Sequence, residues 1–73
     1  MFHIETSSPS TLKSVITWIT RKSISPADLV VYNAGRDFEL VGVKLACTLD
    51  QLWLLAAALD RKFGTAVSFY YVS

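Results

Sequence analysis

The sequence predicts a two-layer α+β sandwich: a four-stranded antiparallel sheet with two helices packed on one of its faces. Three observations predict it. Two stretches, one beginning at Pro9 and one spanning Thr48–Gly64, have helical apolar spacing and marked ends. Four stretches, Phe2–Glu5, Asp28–Tyr32, Phe38–Cys47 and Thr65–Val72, have strand character. The resulting order of strand, helix, strand, strand, helix, strand contains one hairpin and two crossovers. Right-handed crossovers put both helices on the same side of the sheet and leave the other side open.

Phe2–Glu5 alternates apolar and polar residues, the period of a half-buried strand. Thr6, Ser7 and Ser8 are turn residues. Pro9 holds the favoured first helical position, with Ser8 as N-cap. Leu12, Val15, Ile16 and Ile19 then recur at i, i+3, i+4 and i+7. Trp18 flanks that stripe, and Lys13, Ser14, Thr17, Arg21 and Lys22 are placed toward water. Val15, Ile16, Thr17 and Thr20 are indifferent helix formers, so this helix depends on tertiary packing. Ser23–Pro26 breaks the pattern, because Pro26 disfavours helical geometry at Ser25.

Asp28–Tyr32 is β-rich, but Leu29-Val30-Val31 is apolar on both sides and leaves its facing open. Asn33–Asp37 supplies turn residues. In Phe38–Cys47, Val41, Val43, Leu45 and Cys47 share one side, and Leu40, Gly42, Lys44 and Ala46 the other. In the last strand Val67, Phe69 and Tyr71 alternate with Ala66, Ser68, Tyr70 and Val72.

The stretch Thr48–Gly64 carries the strongest local signals. Thr48 with Gln51 three residues on is a capping-box pattern. Asp50 in the first turn and Arg61 and Lys62 in the last suit the helix dipole, and Gly64 is the usual left-handed stop. Leu52, Leu55, Ala56, Leu59 and Phe63 make one apolar face. Trp53, Leu54, Ala57 and Ala58 extend apolar character over most of the circumference. A helix apolar nearly all round is usually buried on more than one side, which in so short a chain predicts a second subunit.

The split βαββαβ order fits a ferredoxin-like domain with sheet order 4-1-3-2 and antiparallel helices. That topology puts residues 7–10, the 33–37 hairpin, Arg61 and Lys62 at one end of the domain. It puts Arg21, Lys22, Cys47 and Thr48 at the other.

A single domain of 73 residues is marginal alone. The one cysteine, Cys47, excludes an internal disulfide, and with His3 as the one histidine a structural zinc site would need carboxylates or a second chain. The remaining routes to stability are a rich core, consistent with 52% hydrophobic residues, and oligomerisation; a homodimer is the expectation. A net charge of +1 with 18% charged residues is neither the basic excess of a typical nucleic-acid binder nor the acidity of a nucleic-acid mimic. MFHIETSSPS lacks the pattern of a signal peptide. The longest apolar run, Leu52–Leu59, falls far short of the roughly 20 residues that span a bilayer. The free thiol without an export signal implies the cytoplasm.

The first helix and its flanks resemble an ACT domain, the small regulatory module attached to many amino-acid-metabolism enzymes. That family shows a strand, Asn-x-Pro-Gly-x-Leu, a helix, a basic pair and Gly-Ile-Asn before its second strand. Here Pro9-Ser10-Thr11-Leu12 precede Val15, Ile16 and Ile19, and Arg21-Lys22 precede Ser23-Ile24-Ser25. The ending AALDRKFGTAVSFYYV is similar in pattern to the family's second helix and last strand. The resemblance implies the ferredoxin-like fold and an amino acid or small anion bound at Ser7, Ser8 and Ser10. Two family glycines are Ser10 and Ser23 here, and a side chain at the first narrows the approach of a ligand.

Read without the resemblance, Ser7-Ser8-Pro9-Ser10 is foremost a capped helix start. Cys47 beside a helix N-terminus has the setting of an activated thiol. However, His3 is assigned to the opposite sheet face, and a buried, inert thiol is the favoured reading. Glu5, Asp28, Asp37, Glu39, Asp50 and Asp60 are scattered, there is no phosphate loop, and no catalytic set emerges.

Two surfaces remain. The open sheet face should carry Leu40, Lys44, Ser68 and Tyr70, one of Leu29 and Val30, one of Val31 and Tyr32, and His3 with Glu5. Aromatics on such a sheet can stack RNA bases, but the low charge favours a protein contact. On the helix side Trp53, Leu54 and Trp18 suggest a second interface, against the alternative that Trp53 plugs the cleft between the helices. The sequence thus predicts a small non-enzymatic regulatory or inhibitory module acting as a homodimer. An amino-acid sensor and a single-stranded nucleic-acid binder are the alternatives.

Overall fold

The computed structural model describes residues 1–22, 29–37 and 39–72. It contains β1 (Phe2–Thr6), α1 (Pro9–Thr20), β2 (Leu29–Ala34), β3 (Leu40–Leu45), α2 (Leu49–Phe63) and β4 (Ser68–Tyr71). A short 3₁₀ turn, Gly64–Ala66, joins α2 to β4. The strands form one antiparallel sheet in the order β2-β3-β1-β4, giving an α+β fold. The expected break at residues 23–26 and the expected strand starts at Asp28 and Phe38 lie outside the described residues.

Both helices begin as their sequences dictate. The Ser8 hydroxyl accepts the Thr11 amide at 3.3 Å, with Pro9 as the first helical residue. In α2 the Gln51 amide donates to the Thr48 hydroxyl at 3.2 Å, and the Thr48 amide donates to the Gln51 side chain at 3.0 Å, a complete capping box. The hydroxyls of Ser14 and Thr17 donate to the carbonyls of Ser10 and Lys13, four residues back. This accommodates hydroxyl residues in α1 without unpaired groups. The α2 stop at Gly64 has φ +56° but ψ −130°, so the chain leaves the helix through the 3₁₀ turn and not through the simple left-handed cap.

Strand ends differ more. β2 continues through Asn33 and Ala34, which pair with Val41 and Leu40. The turn is thereby shortened at its first side. Gly35 has φ +87°, a conformation open to glycine, and the Glu39 carboxylate folds back to accept the Asp37 amide at 2.8 Å. β4 starts only at Ser68, because residues 64–66 are held in the 3₁₀ turn. The buried Thr6 hydroxyl donates to the Ala66 carbonyl at 2.8 Å and accepts the Ser8 amide at 3.2 Å, tying the end of β1 to both connections.

One sheet face and both helices form a single core. Phe2, Ile4, Val43 and Leu45 from the sheet meet Leu12, Val15 and Ile19 of α1, Leu55 and Leu59 of α2, and Val67. Ile16, Leu52, Ala56 and Phe63, expected on the apolar helix faces, pack at its margin. The alternation of β1 between buried and half-buried residues puts Phe2, Ile4 and Thr6 on the helix side, with His3 and Glu5 on the other.

Candidate functional sites on the open sheet and the helix layer

Strand register fixes what the open face carries. Residues directly opposite across a ladder share a face. Since His3 pairs with Lys44 and Tyr70, and Val30 with Lys44, the face holds Val30, Tyr32, Gly42, Lys44, His3, Glu5, Ser68 and Tyr70. The choice left open on the second strand falls to Val30 and Tyr32. Leu29 and Val31 turn toward the helix side. Leu40, opposite Ala34, joins the open face half-buried.

The centre of that face is a hydrogen-bonded cluster and not a plain apolar patch. The Glu5 carboxylate accepts the Tyr32 hydroxyl at 2.5 Å and the Tyr70 hydroxyl at 3.0 Å through one oxygen. His3 Nδ1 lies 3.0 Å from the Tyr32 oxygen. Because the single phenolic proton of Tyr32 goes to Glu5, the imidazole donates Nδ1–H to Tyr32. The His3 ring stacks on Tyr70 with centroids 4.7 Å apart and planes at 6°. Tyr32 lies across Gly42, where a Cβ would come within 2.7 Å of the Tyr32 ring. Burial, then the hydrogen bond to Glu5, pushes the Tyr32 phenol well above its ordinary value. Both aromatic hydroxyls are thus directed onto one carboxylate oxygen.

The helix layer presents a different surface. On α2, Leu49, Trp53 and Leu54 are 66%, 72% and 74% exposed. Trp53 therefore does not plug the cleft between the helices. That place belongs to Trp18, half-buried, whose ring meets Phe63 edge-on at 6.2 Å and carries the Lys22 ammonium 5.6 Å from its centroid. Leu49 and Trp53, four residues apart, form one strip, and Leu54 lies further round. Leu54 lines a hollow of about 430 Å³ with Trp18, Lys22, Ala57, Ala58 and Arg61. A second hollow, also lined by Trp18, is bordered by Lys13, Thr17, Arg21 and Lys62. The first hollow runs along the helix layer, with Gln51 from the start of α2 and Arg61 from its end among its lining, so Lys22 and Arg61, and likewise Arg21 and Lys62, border the same hollows although they start from different ends of the helices. The Thr6–Ala66 hydrogen bond holds the chain just after α2 beside the end of β1.

Compared with known proteins, the chain matches no family model, no curated sequence and no solved structure.

The remaining sequence-derived positions have local roles. Ser8 caps α1 and shares a 3.0 Å hydroxyl contact with Ser10, while Ser7 is exposed. Cys47 packs at the core margin, and burial raises its thiol above the ordinary value. His3 is across the sheet from it and engaged with Tyr32, so no Cys–His pair forms. Among the described residues no group of three His, Cys, Asp or Glu side chains is placed to hold a metal ion. No helix of the described residues is long and apolar enough to cross a membrane.

Three features escaped the sequence: the role of Glu5 as acceptor for two tyrosines, the exposure of Leu49, and the gathering of basic residues around Trp18. The first required the facing of β2. The second was legible in principle, since Leu49 and Trp53 share a helix strip away from Leu55 and Leu59.

Proposed function

We propose that this chain is a small non-enzymatic protein-interaction module, regulatory or inhibitory in action, that works as a homodimer. The element order and the sheet order β2-β3-β1-β4 support reading the fold as a ferredoxin-like βαββαβ domain. The observation that carries the functional reading is the exposure of Leu49, Trp53 and Leu54 on one helix of a very small domain. Large apolar side chains of this kind each contribute roughly 1.5–3 kcal/mol when removed from water, and contiguous exposed ones mark interfaces. Tyr71 of edge strand β4, opposite Phe2 and therefore on the helix side, is a further large exposed side chain, at 46%. Pairing through α2 and an edge strand is also what the resemblance to ACT domains implies. A lone, half-buried thiol fits a reducing, cytoplasmic setting.

The test is sedimentation at micromolar concentration. The wild-type chain is expected to run as a dimer and Trp53→Glu as a folded monomer, because a carboxylate in the middle of the strip would be buried without a partner. A monomeric wild type rejects the homodimer.

A further inference from the structure

Five of the chain's seven Lys and Arg residues border the two hollows beside Trp18: Lys22 and Arg61 on one, Lys13, Arg21 and Lys62 on the other. No carboxylate lines either hollow among the described residues. The floor of the larger one is apolar, and Ala57 and Ala58 are small enough to leave about 430 Å³ open, within the range that ligand pockets occupy. An occupant that satisfies both features needs apolar groups for the floor and negative charge for the rim. We propose that this groove docks an acidic amphipathic segment of another protein, its apolar side chains set against Leu54, Ala57 and Ala58 and its carboxylates against Lys22 and Arg61. The proposal rests on the reading of this chain as an interaction module and names the chemistry of the partner.

The other occupants fit less well. A second copy presents the same five cations, and groove against groove brings like charges together. A nucleic acid would want an aromatic face for its bases, but the Trp18 ring carries the Lys22 ammonium and packs nearly perpendicular to Phe63. Phosphates also leave the apolar floor unused. Carboxylates meeting the rim gain from the attraction, and in this open setting the gain is screened by salt. Docking an amphipathic helix into a groove is an established mode of recognition, read as apolar anchors at i, i+3, i+4 and i+7.

The experiment is an NMR titration of the full chain, because the indole N–H signals of Trp18 and Trp53 report separately on the groove and on the outer strip. The probe is a synthetic helical peptide with Leu at i, i+3, i+4 and i+7 and Glu elsewhere. The same peptide with Lys in place of Glu, and a single-stranded oligonucleotide, are the comparisons. The Glu peptide is expected to shift Trp18 and the amides of Ala57 and Ala58, to leave Trp53 unmoved, and to bind about tenfold more weakly at high salt. The Lys peptide is expected not to bind. A Lys22→Glu, Arg61→Glu double variant, altered only at exposed positions, should reverse the preference between the two peptides. The proposal is overturned by silence of Trp18 toward the Glu peptide, by equal binding of the Lys peptide, or by a stronger response to the oligonucleotide. Shifts at Trp18 that grow with protein concentration alone overturn it in favour of a second copy. A Glu peptide that shifts Trp53 and not Trp18 overturns the groove while leaving the interaction module standing. A monomeric wild type that binds neither peptide at either tryptophan removes both.

Discussion

On the open sheet face one oxygen of Glu5 accepts two phenols, those of Tyr32 and Tyr70. The Tyr32 proton in this bond is worth more folded than unfolded, which is the meaning of a phenol raised above its ordinary value of about 10. A raised group contributes stability that is fully present below the unfolded value and is lost as pH rises through the folded one. The stability difference between the wild type and Tyr32→Phe should therefore be constant at neutral pH and shrink as pH climbs above about 10. Urea denaturation of both chains at a series of alkaline pH values measures it. A gap that stays constant well above that point would show that Tyr32 does not hold its proton on Glu5. This cluster was hidden in the sequence for a definite reason. Leu29-Val30-Val31 is apolar on both sides, so periodicity could not say whether Tyr32 faced Glu5 or the core, and only the pairing of Tyr32 with Gly42 decides it.

At the scale of the element, features set by neighbours in sequence were legible and features set by distant pairing were not. The Thr48–Gln51 capping box and the Ser8 cap are satisfied within three residues, and both helix starts follow from the sequence. The extension of β2 through Asn33 and Ala34 depends on Val41 and Leu40 across the ladder. The late start of β4 depends on Thr6 holding the Ala66 carbonyl from 60 residues away. The hollows bordered by basic residues depend on Trp18 of α1 lying beside residues of α2. The cap is also where an element-scale prediction is sharpest. Thr48→Ala removes the acceptor of the Gln51 amide at an exposed site, with no core contact to confuse the result. It should cost about 0.5–2 kcal/mol in denaturant unfolding, and Thr48→Ser should recover most of it. A Thr48→Ala variant as stable as the wild type would mean that packing of Leu55 and Leu59 alone holds α2.

For the whole molecule, size and exposed surface pull in the same direction. A domain this small buries only roughly 60–65% of its unfolded surface. Here part of its apolar content, Leu49, Trp53, Leu54 and Tyr71, remains in contact with water in the single chain. Association that covers the Leu49–Trp53 strip would add to folding by mass action, since a partner that binds only the folded chain stabilises it in proportion to the logarithm of its concentration. In a coupled dimer a tenfold rise in protein concentration adds about 1.4 kcal/mol per dimer, or about 0.7 per chain, and should raise Tm by about 3–5 °C for a chain of this length. Thermal unfolding followed by circular dichroism across two decades of concentration reads this directly. Trp53→Glu should show a lower Tm at high concentration and no dependence on concentration. Arg61→Glu, which changes the groove and not the strip, should keep the wild-type slope. A wild-type Tm that is flat with concentration would place the strip outside the energetics of folding, and the core around Phe2, Ile4, Val43 and Leu59 would then have to hold this small sandwich without a second copy.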